Sequence, residues 1–373
     1  MNPNNKKYKK IKTFTGARFI MILIIVCSHF EFFKRTEFAE VYWRYFHNAT
    51  MGVDYFFLLS GFGMMLSYMK GTNVSKVKGI QGAILFGRNK VRKIYPVYVI
   101  SLLICLPYLL LIIYRNNSLI KILGVLGSKF CLCLTLLQSG TGLMAFSNGI
   151  NSVGWFLSSL FIIYIFSPLI LKVISRVDKN SVWAVLIGFI SIYLLNLKLL
   201  SNIEKNSLFD NLVYGSPYSR IWIVCIGMVI ALIYIYYIEE RVISSKTASL
   251  VESMTVIFMG GWFFTRNGID QHYIRILDIV LLILFLIVFS FEQGKISRFL
   301  SSKTLVKLGD ITMFVFLLHY PIRLYVDWIF KKTEFGKETG GCFVEALIIV
   351  MSSLVVSLIM SKRFNQRPKE SWR

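Results

Sequence analysis

Acidic residues are scarce in this 373-residue chain, which has 19 Asp and Glu against 42 Lys and Arg and a formal net charge of +23. An excess of positive charge can indicate binding to nucleic acid. Here, however, the basic residues separate long apolar runs and do not form patches on a polar surface. We therefore expect no nucleic-acid partner.

The sequence also lacks the cysteine patterns of metal sites and disulfide frameworks. Its six cysteines are scattered, mostly within apolar runs, and we expect them to be small buried side chains with no metal bound. Internal repeats, low-complexity tracts and linkers that would separate a soluble domain are missing as well. The chain is therefore predicted to form a single domain, 1–373, with no fused soluble domain.

Apolar residues make up 55% of the chain and aromatic residues 15%, which is more than a soluble domain carries. The apolar runs are too long and too uniform for the alternating strands of a barrel, so they predict helices. The expected fold is an all-α polytopic membrane protein, a bundle of about ten transmembrane helices. The predicted spans are 14–33, 52–69, 94–114, 155–175, 182–200, 220–238, 249–264, 274–291, 310–329 and 343–361.

The orientation follows from the loops, because Lys and Arg are in excess on the side that holds both termini. Both termini are therefore predicted to be cytoplasmic, in a multi-pass protein of the cell membrane. A basic segment precedes the first span, but no small-residue cleavage site follows the span. We therefore expect the first span to remain as an anchor. The connection 115–154 has an apolar middle that competes as a further span; we interpret it as an interfacial or re-entrant segment.

Two ionisable residues lie in the first span. Arg18 and His29 are eleven residues apart, which places them on one helix face with a rise of about 16 Å between them. Such groups usually face a cavity or a partner, because they are costly to place in lipid. A permanent charge suits an anion, and a neutral imidazole can accept a proton, so we expect an anion site joined by a passage to a base. Alternatively, Arg18 snorkels to lipid headgroups and His29 only hydrogen-bonds a neighbouring helix.

Together with that pair, several motifs make the sequence similar to the membrane-bound acyltransferase-3 family. The motifs are "GVDYFFLLSGF" at 52–62, "VRKIYPVY" at 91–98 and "FLLHYPI" at 316–322. The resemblance covers nearly the whole chain. It implies acyl-coenzyme A, commonly acetyl-coenzyme A, as a cytoplasmic co-substrate and a cell-surface or lipid-linked carbohydrate as acceptor. It gives Arg18 a place near the phosphates and His29 the role of general base, and it leaves room for a separate extracytoplasmic transfer partner.

A basic cluster precedes the third span. Family members have an Arg-x-x-Arg pair here, to which Lys90 and Lys93 align, and Arg88 and Arg92 are adjacent. We expect this cluster to bind the coenzyme, although ordinary positive charge on the inner side explains it equally well.

Asp54 enters the second span close to the expected depth of His29. Its carboxylate can orient the imidazole, as the acid of a catalytic triad does, or it can cap the start of the helix. Ser60 is expected to allow close helix packing rather than to act as a nucleophile.

The remaining candidate residues are expected to bind substrate. Trp155 and Tyr164 keep the family's framework in "GWFLSSLFIIYIFSP", although Leu160 stands where many members have glutamate. His319 and Arg323 share one face of the ninth span. A transporter of polysaccharide or lipid-linked sugar is the alternative function, because charges within spans also mark substrate pathways. A scaffold without chemistry would leave the polar pair in the first span unexplained.

Overall fold

The computed structural model describes residues 10–69, 71, 77, 79–114, 119–266, 268–269 and 271–365. The described part of the chain is 81% helical and contains no strand, which confirms the all-α prediction. The helices of six or more residues are α1 Lys12–Cys27, α2 Thr50–Met69, α3 Gly79–Val91, α4 Tyr95–Tyr114, α5 Leu119–Thr135, α6 Trp155–Ile174, α7 Val182–Asn206, α8 Pro217–Ile233, α9 Ser245–Thr265, α10 Gln271–Phe289, α11 Lys295–Leu300, α12 Lys303–Asp310, α13 Thr312–Phe330 and α14 Thr339–Asn365.

Among the described residues, nine helical stretches are long and apolar enough to cross a membrane. The protein is therefore a multi-pass membrane protein. Each predicted span overlaps one long helix; the span predicted at 274–291 corresponds to α10, which is not one of the nine. The orientation of the bundle stays a prediction.

The centre of the bundle is the crossing of α2 and α8. Gly61 of α2 lies against the backbone of Val224, and Gly227 of α8 lies against the backbone of Leu58. A β-carbon at either glycine would collide with main-chain atoms of the facing helix. Small residues at these two positions therefore allow the helices to pack closely, as is common between helices in membranes.

Helix α1 is fixed at its first turn by residues from the last third of the chain. The Oε1 atom of Glu292 accepts hydrogen bonds from the backbone N–H of Lys12 at 2.6 Å and of Thr13 at 3.1 Å. These are N–H groups that have no partner within the helix. The Tyr55 hydroxyl also donates to Phe14 O at 2.9 Å. The helix that carries Arg18 is therefore held by residues from two other parts of the chain.

The connection before α6 enters the bundle. The end of α5 lies beside the first turn of α4, because the hydroxyls of Tyr95 and Tyr98 donate to Leu134 O and Cys133 O at 2.8 and 3.1 Å. Residues 115–118 lie outside the described residues. Whether α5 lies at the interface or spans the membrane stays a prediction.

Residues 136–154 then follow a path of three short helical turns and irregular segments between helices α4, α6 and α13. Asn151 Nδ2 donates to Ser101 Oγ and to Leu317 O, both at 2.9 Å, and Ser139 Oγ donates to Trp155 O at 2.8 Å. Irregular backbone at membrane depth is stable when it is enclosed by protein in this way.

Candidate active site

A cavity of about 240 Å³ lies where α1, α2, α3, α6 and α13 meet. Most of its lining is apolar, including Leu160. The polar residues of the lining are Arg18, Ser60, Lys90, Tyr164 and Thr312. The cavity therefore combines two cations with an apolar wall.

Arg18 is available to a ligand in this cavity. Its Nε atom is buried and has no hydrogen-bond partner among the described residues. Ser60 Oγ donates to Phe56 O at 2.9 Å, and Tyr164 lines the cavity with it. The proton of the Ser60 hydroxyl is therefore bonded to a backbone carbonyl, and the packing role expected for Ser60 stays a prediction.

One of the four exposed residues of the basic cluster lines the cavity, and the other three do not. Lys90, at the end of α3, lines the cavity together with Arg18. Arg88, Arg92 and Lys93 are exposed and do not line it. Of the four basic residues predicted to bind the coenzyme beside Arg18, the structure thus brings one to the cavity; the role of the other three stays a prediction.

His29 lies just past the end of α1, which ends at Cys27, and not on the helix as its spacing from Arg18 predicted. The backbone N–H of His29 bonds to Val26 O at 3.1 Å in a tightened last turn. Its Nδ1 atom lies 2.8 Å from Ile25 O and 3.4 Å from Nε2 of His319. The two imidazole rings have their centroids 5.0 Å apart and meet edge to face.

The hydrogen-bond partners determine the tautomers of this histidine pair. A carbonyl oxygen only accepts, so the proton of neutral His29 must be on the Nδ1 atom that bonds Ile25 O. For the same reason His319, whose Nδ1 lies 3.0 Å from Val315 O, carries its proton on Nδ1. Nε2 of His319 therefore offers a lone pair to His29 Nδ1–H, and Nε2 of His29 keeps its own lone pair for another donor.

A charged pair borders the histidines on the side away from the cavity. Arg323 Nη2 lies 4.0 Å from Glu31 Oε2, and the Arg323 guanidinium lies 5.7 Å from the ring of Tyr320. Arg323 Nε is buried without a hydrogen-bond partner among the described residues. The Tyr320 ring lies 6.0 Å from that of His29. Arg323 and His319 are thus close together, as their spacing predicted, and Glu31 is a neighbour that the sequence analysis did not select.

The orienting role predicted for Asp54 is wrong, because its carboxylate forms an ion pair with Arg220 and no bond to His29. Both side chains of this ion pair are fully buried, and Arg220 Nε donates to Tyr214 O at 2.8 Å. Asp54 does not cap α2 either, since the helix begins at Thr50.

Trp155 packs against this ion pair and not against the histidines. The Arg220 guanidinium lies 5.7 Å from the Trp155 ring and 5.3 Å from the Tyr214 ring. Trp155 therefore packs on a buried cation. Its predicted contact with substrate stays a prediction.

Two phenylalanine rings separate the cavity from the histidine pair. Phe156 lines the cavity, its ring lies 5.0 Å from that of Phe316, and Phe316 lies 6.1 Å from the ring of His319. Neither histidine lines the cavity. The two rings thus lie between the cavity and the histidines, where the sequence predicted an open passage; periodicity within single helices could not reveal this contact between helices.

No group of three or more His, Cys, Asp or Glu side chains in the described part of the chain is arranged to hold a metal ion. The site instead consists of a cationic cavity and a histidine pair within an apolar bundle, which is the arrangement of a membrane protein with an internal site.

A comparison with protein families identifies the class of this protein. The family model described as an acyltransferase domain, Acyl_transf_3, matches residues 11–362. The chain therefore belongs to the acyltransferase-3 family, and the protein is a membrane acyltransferase. Searches against curated proteins and against solved structures gave no match.

Proposed function

We propose that the protein transfers an acyl group, most simply acetyl, from acyl-coenzyme A to a hydroxyl group of a cell-surface or lipid-linked carbohydrate, at the cell membrane. His29 acts as the general base. The observation that carries the proposal is the histidine pair, in which His29 keeps the lone pair of Nε2 while Ile25 O and His319 hold its Nδ1–H.

The donor occupies the cavity that Arg18 and Lys90 line. Their two charges suit the phosphates of the coenzyme, and the apolar wall with Leu160 suits the pantetheine arm and a short acyl chain. At about 240 Å³ the cavity is smaller than a pocket for a whole drug-sized ligand, so the nucleotide end of the coenzyme lies outside it.

The reaction needs no covalent enzyme intermediate. The acceptor hydroxyl oxygen attacks the thioester carbonyl carbon while Nε2 of His29 takes the hydroxyl proton. The tetrahedral intermediate then breaks its C–S bond, giving the ester and the coenzyme thiolate, which takes a proton from His29 or from water. When His29 is protonated, its Nδ1–H remains bonded to Ile25 O and His319.

The acceptor approaches from the side of Glu31, Tyr320 and Arg323. Arg323 Nε, which has no partner in the described structure, is a donor for an acceptor oxygen or for the oxyanion. For the thioester to reach His29, the rings of Phe156 and Phe316 must move apart. The proposal therefore includes an aromatic gate between donor and acceptor sides.

The test uses purified protein in lipid nanodiscs with ¹⁴C-acetyl-coenzyme A and surface polysaccharide from cells that lack the protein. We expect His29→Gln to lower acetyl transfer by about 10²- to 10⁴-fold, the usual contribution of a general base. His47→Gln is the matched control, because His47 is an exposed histidine whose ring contacts that of Trp43, with ring centroids 3.9 Å apart.

Normal transfer by the His29 variant, in protein that still binds coenzyme A, would refute the role of the base. If both the wild type and the variant move the polysaccharide across the bilayer without labelling it, the protein acts as a transporter.

A further inference from the structure

A second cavity lies at the end of the bundle where α1 begins and α14 ends. It has a volume of about 400 Å³ and is separate from the cavity that holds Arg18. Four lysines from three helices line it, and the proposed acyl transfer uses none of them. They are Lys12, Lys303, Lys307 and Lys362.

The lining of this cavity, as far as the described residues form it, holds four lysines and one carboxylate. Asp310 is the carboxylate in the lining, and it already pairs with Lys10 at 2.9 Å. Among the described residues, none of the four lysines forms an ion pair. The hydroxyl groups of Ser301 and Ser361 also line the cavity. A ligand with negatively charged oxygens would satisfy the ammonium groups and accept hydrogen bonds from the hydroxyls.

The cavity opens beside a surface that is suited to lipid chains. Met351, Val355 and Ile359 of α14 follow one another at intervals of one helical turn and are 52%, 50% and 60% exposed. Leu358, next to Ile359, lines the cavity, and Lys362 lies one turn further. An apolar stripe thus leads directly to the four lysines.

We propose that this lysine cavity binds the phosphate headgroup of an anionic phospholipid, whose acyl chains lie along the exposed stripe of α14. A soluble phosphate compound would use the charges but not the stripe, so the continuity of the two features favours a lipid. Basic pockets between transmembrane helices on the cytoplasmic side are typical headgroup sites, and the predicted orientation places this cavity there.

The experiment measures lipid binding by native mass spectrometry of the full chain in detergent, with dioleoyl phosphatidylglycerol and dioleoyl phosphatidylcholine. The variant carries Lys303→Gln, Lys307→Gln and Lys362→Gln. The control carries Lys172→Gln, Lys205→Gln and Lys246→Gln, which removes the same charge at exposed positions outside the cavity.

We expect the wild type and the control to bind phosphatidylglycerol in preference to phosphatidylcholine. Each lysine near a headgroup contributes about fivefold in affinity, so the cavity variant should bind phosphatidylglycerol about a hundredfold more weakly. If that variant does not fold, Lys307→Gln alone should lower the affinity about fivefold.

Equal binding of the two lipids by the wild type, or equal affinity for phosphatidylglycerol in the cavity variant and the control, would overturn the proposal. Free coenzyme A is added as a soluble phosphate competitor. If it displaces phosphatidylglycerol from the wild type but not from the cavity variant, the cavity belongs to a soluble ligand and the assignment to lipid is wrong.

Discussion

Replacing His319 with residues that differ in hydrogen bonding tests the proposed histidine pair most directly. Leucine fills much of the same space but offers no acceptor to His29 Nδ1–H. Glutamine can place an amide oxygen near the position of the imidazole Nε2. We therefore expect His319→Leu to lose activity and His319→Gln to keep more of it.

The size of the loss follows from the geometry. A hydrogen bond to a charged group contributes about 1.5–3 kcal/mol, which corresponds to about 10- to 150-fold in rate. The contact from His319 Nε2 to His29 Nδ1 is long at 3.4 Å, and Ile25 O remains as a second acceptor at 2.8 Å. We therefore expect the lower end, about a tenfold fall in kcat for His319→Leu.

The assay is acetyl transfer in nanodiscs with kcat and KM measured separately for donor and acceptor. His319 acts on the protonated state of His29 and does not line the donor cavity, so kcat should fall while the KM of acetyl-coenzyme A stays constant. Equal rates for the leucine and glutamine variants, or a wild-type rate for leucine, would refute the positioning role of His319.

Three further predictions concern the cavity, the gate and the buried ion pair. Arg18→Gln should weaken coenzyme A binding in equilibrium dialysis by about 10- to 150-fold if the guanidinium contacts a phosphate. An unchanged affinity would show that Arg18 does not contact a phosphate. Phe316→Ala should raise the hydrolysis of acetyl-coenzyme A without acceptor, because it opens the ring pair with Phe156 to water; a hydrolysis rate at the wild-type level would argue against a gate. Asp54→Asn should lower the free energy of unfolding by about 3–5 kcal/mol, because it leaves the charge of Arg220 buried without a partner. The double variant Asp54→Leu with Arg220→Met should recover much of the lost stability in thermal unfolding. Equal stability of the wild type and both variants would contradict this.

The features that follow from local sequence were predicted well. Apolar runs set the helices because the backbone in lipid must satisfy its own hydrogen bonds. The positions of Arg18 near the start of α1 and of His29 near its end follow from helical rise alone. The prediction is wrong only for the last turn, because α1 ends at Cys27 and His29 lies beyond it.

Contacts between distant parts of the chain were not predictable in this way. His29 and His319 are 290 residues apart, and Asp54 and Arg220 are 166 apart, so no periodicity relates them. Asp54 and His29 were expected to meet because they share a depth. Depth, however, does not determine which side of a helix faces which neighbour; that is decided by packing such as the glycine crossing of α2 and α8.

The capping of α1 by Glu292 has a consequence for how the protein is made. The first helix leaves the ribosome long before Glu292 is synthesised, and His319, the partner of His29, is synthesised later still. During insertion, α1 must therefore stay in the bilayer with its Arg18 unassisted, and a nascent chain that stops before α13 has no assembled base. We expect C-terminally truncated chains to insert but to remain inactive. The site of this enzyme is complete only after Glu292 has bonded to α1 and His319 to His29.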